Sequence, residues 1–117
     1  MNKYDIKDIN LAPAGHMKIR WVRENMPILR ELEERFKQDR PFEGIKICLS
    51  VHLEAKTAYL CNVLAAGGAD MSITGSNVLS TQDDVVAALA DSGLKVYAVH
   101  GESQEDYARH IEMCLEH

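Results

Sequence analysis

The chain has 117 residues, enough for one ordinary domain, and its net charge is −5, with 13 basic and 18 acidic residues. Because the two signs are interspersed and no basic cluster occurs, the composition argues against a nucleic-acid surface and favours a small-molecule partner. No stretch approaches the about 20 apolar residues of a membrane span, and residues 1–5 begin no export signal. We therefore expect a cytoplasmic protein without membrane contact.

The first part of the chain is expected to form two helices. Helical sequence starts at Leu11 and continues to Pro27, which is tolerated at the first position of a helix and so marks the joint to the second one. Spacing along each helix predicts which side chains point into the core. These are Met17, Trp21 and Val22 in the first helix, and Leu29, Leu32 and Phe36 in the second.

The rest of the chain alternates strands and helices. Short apolar runs predict strands at 44–49, 70–74 and 95–99, and the helix after the first strand, from about Glu54, ends at the C-cap signal Gly67-Gly68. Residues 80–83 (STQD) have the spacing of a capping-box variant that would start the next helix. The expected buried positions are Val85, Val86 and Leu89 in that helix, and Tyr107, Ile111 and Leu115 in the last one.

This alternation predicts an α/β fold, a three-layer αβα Rossmann-like parallel sheet of order βαβαβα preceded by two N-terminal helices. Right-handed crossovers would place helices on both faces of the sheet. Three strands make a small sheet, and the chain stops on a helix. We therefore expect an incomplete domain or a minimal one.

The three cysteines are expected to be reduced thiols of the core. Cys48, Cys61 and Cys114 form no CxxC pair, are odd in number and lie in apolar segments. Such usage is typical of a cytosolic protein and not of a disulfide framework.

A candidate site lies where the first of these strands ends. His52, Glu54 and Lys56 follow that strand, and the carboxyl ends of parallel strands are where such sheets bind ligands. His52 suits proton transfer, although a core histidine bonded to a carbonyl is an equal alternative. A cation in the first helical turn opposes the helix dipole, so Lys56 suggests a second use. Its alternatives are solvent exposure or a pair with Glu54.

The loop after the second strand offers further polar groups. Asn77, Ser80, Thr81 and Gln82 bring amides, hydroxyls and a helix N-terminus beside the first strand end. Such groups suit the hydroxyls and carboxylates of a small polar ligand. The alternative is that they are only turn and capping residues.

Several common catalytic motifs are absent from the sequence. The H-x-E of residues 52–54 is not followed by P-C-x-x-C, so no zinc site is expected. No G-x-G-x-x-G, G-x-S-x-G or P-loop occurs. The remaining histidines lack ligand spacing and are expected to be structural or on the surface. They are His16, His100, His110 and His117.

Three segments carry a resemblance to a known family. Residues 51–58 (VHLEAKTA), 75–84 (GSNVLSTQDD) and 96–98 resemble the N-terminal part of S-adenosylhomocysteine hydrolases, in particular the archaeal and thermophilic-bacterial branch. The flanking segments 8–12 and 23–27 are similar too. The resemblance implies that residues 1–117 are the N-terminal portion of the substrate-binding domain.

The resemblance implies an NAD-dependent thioether hydrolase of the methyl cycle, homotetrameric in the family, that converts S-adenosylhomocysteine and water to adenosine and homocysteine. His52 matches the family histidine that acts in proton transfer near the ribose. The positions expected to contact substrate are Glu54, Lys56, Thr57, Asn77, Ser80, Thr81 and Gln82. The NAD-binding domain and the other catalytic groups of the family come after residue 117. The isolated chain is therefore expected to be inactive, and a stand-alone nucleoside-binding or regulatory module is the alternative.

One departure from the better-known branch concerns the base. Glu54 and Lys56 stand where that branch has a threonine and a glutamate that contact adenine. An ammonium group only donates hydrogen bonds, so Lys56 fits the 6-oxo group of hypoxanthine, while Glu54 accepts from its N1 hydrogen. The pair suggests S-inosylhomocysteine as a substrate, although adenine can also bind through water.

Overall fold

A computed structural model describes residues 4–116 as a four-stranded, all-parallel sheet covered by helices. The strand order is β1-β4-β3-β2. Helix α5 packs on one face, and α1, α3 and α4, which contact one another, cover the other, with α2 against α3. The predicted Rossmann-like α/β architecture is confirmed.

The strands are β1 Tyr4–Ile6, β2 Lys46–Val51, β3 Asp70–Gly75 and β4 Lys95–Ala98. The helices are α1 Ala12–Glu24, α2 Pro27–Asp39, α3 Ala55–Ala66, α4 Asp83–Asp91 and α5 Gln104–Leu115, and a 3₁₀ turn lies at Ile9–Leu11.

The strand β1 corrects the predicted count of three strands. It has only three residues and no usable alternation, and it is stabilised by pairing with β4, for example Asp5 opposite Tyr97. The central strand β3 is buried along almost its whole length, whereas the edge strand β2 alternates between exposed and half-buried residues. The predictions for residues 1–3 and His117 lie outside the described residues.

The inward faces of α1 and α5 differ from the predicted ones. Met17 and Trp21 are 69% and 63% exposed, and Leu115 is 69% exposed. A spacing of four residues drifts around a helix of 3.6 residues per turn, so a strict four-residue repeat leaves the buried face. The faces that are buried comprise Ala12, Gly15, Ile19 and Val22 in α1, and His110 and Cys114 in α5.

Helices α1, α2 and α3 meet at a buried carboxylate. Glu33 accepts hydrogen bonds from the Tyr59 hydroxyl at 2.9 Å and from Arg23 Nε at 3.1 Å. The predicted inward residues Leu29 and Phe36 are half-buried against the same core. Because a buried carboxylate is costly unless it is paired, this arrangement fixes how the three helices pack.

A second polar cluster attaches β1 to α5. The buried His110 places Nε2 at 3.0 Å from Asp5 and Nδ1 at 2.7 Å from Glu102. Partial burial of Asp5 favours its protonated form and so raises its pKa. Hydrogen bonds from Arg109 and His110 outweigh this effect, and the pKa of Asp5 is lowered. Burial raises the pKa of Glu102 despite the attraction of His110. His110 thus has the structural role that the sequence predicted.

The stability of the fold is expected to decrease at alkaline pH. Burial, together with the neighbouring Glu33, raises the pKa of Tyr59 from 10.0 to about 12, and burial raises that of Cys61 from 9.0 to about 12. The unfolded chain releases these protons first, so the stabilisation is complete below pH 9 and is lost as pH rises towards 12. The urea midpoint should therefore fall between pH 9 and 12, and Tyr59→Phe should flatten the part of the fall above pH 10. A midpoint independent of pH in this window would contradict the assignment.

Candidate functional site

The ends of β2 and β3 meet at one edge of the sheet, as predicted. Val51 lies opposite Gly75, and the amide of Ser76 donates to the Val51 carbonyl at 2.9 Å. The amide of Gln82 donates to the Leu53 carbonyl at 3.0 Å. These bonds hold the segment with His52 and the loop after β3 side by side.

A cavity of about 680 Å³ opens at this edge. Its lining comprises His52, Glu54, Thr57, Leu79, Ser80, Thr81, Gln82 and His100. Six of the eight residues predicted for the site therefore line one space. Lys56 and Asn77 are the two that do not.

A hydrogen bond between His52 and Ser80 orients the imidazole ring. Ser80 Oγ lies 2.6 Å from His52 Nδ1 and 3.1 Å from the Asn77 carbonyl oxygen. A hydroxyl has a single hydrogen and the carbonyl only accepts, so Ser80 donates to Asn77 and accepts from Nδ1–H of His52. The neutral ring then carries its lone pair on Nε2, the nitrogen of a proton acceptor.

Asn77 and Thr81 support the loop after β3. The side-chain oxygen of Asn77 accepts from the Leu79 amide at 2.9 Å, and its carbonyl accepts from the Thr81 hydroxyl at 3.2 Å. Thr81 is 4% exposed. The hydrogen bonds of both side chains are thus those of turn residues, the alternative that the sequence left open.

The predicted capping box at residues 80–83 does not form. The N-cap of α4 is Gln82, which makes no side-chain capping bond, and the hydroxyl of Ser80 bonds to His52 and Asn77 instead of to the helix. The buried stripe Val85, Val86 and Leu89 is confirmed.

Thr57 fixes the turn between β2 and α3. Its hydroxyl donates to the His52 carbonyl, lies 3.0 Å from the Glu54 carbonyl oxygen and accepts from the Glu54 amide at 3.2 Å. Glu54 is the N-cap residue of α3. Thr57 therefore positions the backbone of the two neighbouring site residues.

Lys56 lines a second, adjacent cavity of about 310 Å³. This cavity shares Glu54 and Gln82 with the first and is also lined by Lys18 and the exposed Trp21. No ion pair joins Lys56 to Glu54 or to any other residue of the range 4–116. Lys56 is thus a solvent-exposed cation at the rim of a cavity that Glu54 also lines.

His100 is a site residue that the sequence analysis missed. It follows β4 by two residues, its Nδ1 lies 2.9 Å from the Thr81 carbonyl oxygen, and its amide donates to Asp83 at 2.9 Å. A carbonyl only accepts, so Nδ1 is protonated and Nε2 is the free nitrogen of the neutral ring. The rule that strand carboxyl ends gather at one edge applies equally to β4 and would have found it.

The arrangement offers two imidazoles, a carboxylate, an amide and three hydroxyls around an open cavity. Within residues 4–116, no group of histidine, cysteine and acidic side chains is placed to hold a metal ion. None of the helices in that range is long and apolar enough to cross a membrane. The groups present suit hydrogen bonding and proton transfer on a small polar ligand.

Comparisons with known proteins agree with the resemblance found in the sequence. A family model described as S-adenosyl-L-homocysteine hydrolase matches residues 3–117. The S-inosyl-L-homocysteine hydrolase of Methanocaldococcus jannaschii is 50% identical over 114 residues, which are 97% of this chain and 28% of that protein. The adenosylhomocysteinase of Pyrococcus abyssi is 51% identical over 113 residues, 97% of this chain and 27% of that protein. The chain thus spans little more than a quarter of the length of these curated relatives.

Proposed function

Because this chain belongs to the S-adenosyl-L-homocysteine hydrolase family, we propose that it provides the N-terminal part of the substrate-binding domain of such a hydrolase. The reaction is hydrolysis of the thioether bond of S-adenosyl- or S-inosylhomocysteine to a nucleoside and homocysteine. The observation that carries the proposal is the cavity where His52 and the 76–82 loop meet. A cytoplasmic homotetramer, as in the family, is part of the same proposal.

The NAD that the family implies does not fit the described residues. A dinucleotide site needs glycines in the first strand-to-helix turn so that the backbone approaches the pyrophosphate. In this chain the connection from β1 to α1, residues 7–11, contains no glycine, and the turn from β2 to α3 consists of His52, the fully buried Leu53 and Glu54. The proposal therefore assigns NAD to residues outside this chain.

His52 is proposed to transfer a proton at the substrate. Its Nε2 is the unprotonated nitrogen of the neutral ring, because Nδ1 is bonded to Ser80. Proton transfer by a positioned histidine contributes about 10²–10⁴-fold to a rate. Thr57, which bonds to the His52 carbonyl, and Ser80 act as positioning residues.

The base preference follows from Glu54 and Lys56. Lys56 has no acidic partner among residues 4–116, so its ammonium is available to donate to a 6-oxo group. The comparisons do not choose between the bases, since relatives with either printed name are about 50% identical. We propose that the inosyl compound is preferred.

A chimeric enzyme tests this preference. This chain would replace the matching segment of the Methanocaldococcus jannaschii relative, and kcat/KM would be measured for both thioethers. We expect the inosyl compound to be favoured about tenfold or more, since a hydrogen bond to a charged group is worth about 1.5–3 kcal/mol. Lys56→Glu should reverse the preference, and Lys46→Glu, the same charge change at the start of β2, should leave it unchanged. An adenosyl preference that Lys56→Glu does not alter would contradict the assignment.

A stand-alone nucleoside-binding module is the second candidate, because six of the eight predicted site residues already line one cavity. Calorimetric titration of the isolated 117-residue protein with inosine and adenosine separates the two functions. Saturable binding by a monodisperse, folded sample favours the module. A folded sample that binds neither nucleoside favours the hydrolase segment.

A further inference from the structure

A pair of thiols lies on the face of the sheet that α5 covers, outside the cavity. Cys48 on β2 and Cys114 on α5 place their Sγ atoms 2.6 Å apart. Two unbonded sulfur atoms do not normally approach so closely. The backbone therefore holds both residues where an S–S bond of about 2.05 Å needs only a small movement of the side chains.

The two thiols differ in their surroundings. Cys114 is fully buried and its Sγ donates to the Ser72 carbonyl at 3.2 Å. Cys48 is an exposed residue of the edge strand, which corrects the prediction that all three cysteines are core thiols. The third, Cys61, is buried in α3. An oxidant in solution thus reaches Cys48 first, with Cys114 placed directly behind it as the resolving thiol.

We propose that Cys48 and Cys114 are a redox modification site that forms a reversible disulfide between β2 and α5. The oxidant is a low-molecular-weight disulfide such as oxidised glutathione. The Cys48 thiolate attacks one glutathione sulfur and releases a glutathione thiolate. Cys114 then loses its proton and displaces the second glutathione from Cys48. The protein loses two electrons and two protons, and one glutathione disulfide becomes two thiols.

The reaction is expected to be slow at neutral pH. Partial burial of the Cys48 sulfur and its contact with Cys114 raise the pKa of Cys48 to about 12. Because the thiolate is the attacking species, the rate should rise about tenfold for each pH unit from about pH 7 to about pH 11. The rate of a thiol with the ordinary pKa of about 8.5 would level off above about pH 9, so the continued rise above that pH identifies attack by Cys48.

The test uses the 117-residue protein incubated with mixtures of reduced and oxidised glutathione. We expect the thiols counted after denaturation to fall from three to one, since the chain has three cysteines, with a mass loss of two hydrogen atoms. The oxidised protein should melt about 10 °C or more above the reduced one, because the bond closes a long loop. Cys48→Ser should abolish the loss of two thiols and the rise in melting temperature. Cys61→Ala, which starts with two thiols, should still lose both and should still melt higher when oxidised.

Two outcomes would overturn the proposal. One is that all thiols remain titratable even with excess oxidised glutathione at about pH 9, where thiolate attack is faster. The other is a stable mixed disulfide of glutathione with Cys48 and no internal bond. Both are read by mass spectrometry and do not depend on any hydrolase activity, so the proposal stands apart from the proposed function.

Discussion

In the chimeric hydrolase, His52→Asn is expected to lower kcat by about 10²–10⁴-fold, because it removes the imidazole proposed to transfer the proton. Asparagine retains a polar group that can still bond to Ser80, which lies 2.6 Å from Nδ1 of the native ring. Substrate binding should therefore change far less than turnover. Steady-state kinetics that separate kcat from KM test this directly.

His16→Asn provides the matched control for this experiment. His16 lies on α1 and pairs with Asp91 at 2.7 Å, away from the cavity lining. It should leave kcat within about twofold, as is usual for a surface substitution. If His52→Asn were as active as this control, His52 would have only the structural role that the sequence analysis kept as an alternative.

Gly15→Ala is expected to destabilise the fold by about 3 kcal/mol, through a clash between α1 and α4. An alanine Cβ at this position would lie 1.9 Å from the Asp84 carbonyl oxygen and 2.9 Å from Ala88 Cβ. The first of these atoms belongs to the backbone and cannot rotate away, so the helices must separate. Helix propensity acts in the opposite direction, since alanine in a helix interior is favoured over glycine by about 1 kcal/mol.

Urea unfolding measures this effect as the difference in the free energy of unfolding between Gly15→Ala and the control variant Met17→Ala. Met17 is on the same helix and 69% exposed, so its replacement should change stability by less than about 0.5 kcal/mol. Because α4 begins next to Gln82, a separation of the helices should also weaken nucleoside binding wherever binding is measurable. A Gly15→Ala variant more stable than the parent would show that propensity outweighs the contact.

Local sequence signals predicted several helix ends and the sheet edge that carries the candidate site. Pro27 begins α2 because its ring fixes φ at a helical value, and α3 ends at Gly67 because the next residue, Gly68, has a φ of +97° that favours glycine. His52 and the 76–82 loop were predictable as neighbours, because parallel strands present their carboxyl ends at one edge. The alternation of strands and helices was likewise sufficient for the α/β class.

Tertiary structure alone decided the features that depend on distant partners. Strand β1 exists through pairing with β4, and the buried Glu33 is compensated by Tyr59 and Arg23 from other helices. The Cys48–Cys114 contact joins residues 66 positions apart, and no local pattern specifies it. The sequence by itself therefore determined the helices, three of the four strands, the edge that carries the candidate site and the family, since these depend on local conformation and pattern. Which faces are buried and which polar groups meet was decided only by packing, because those energies arise between segments far apart in the chain.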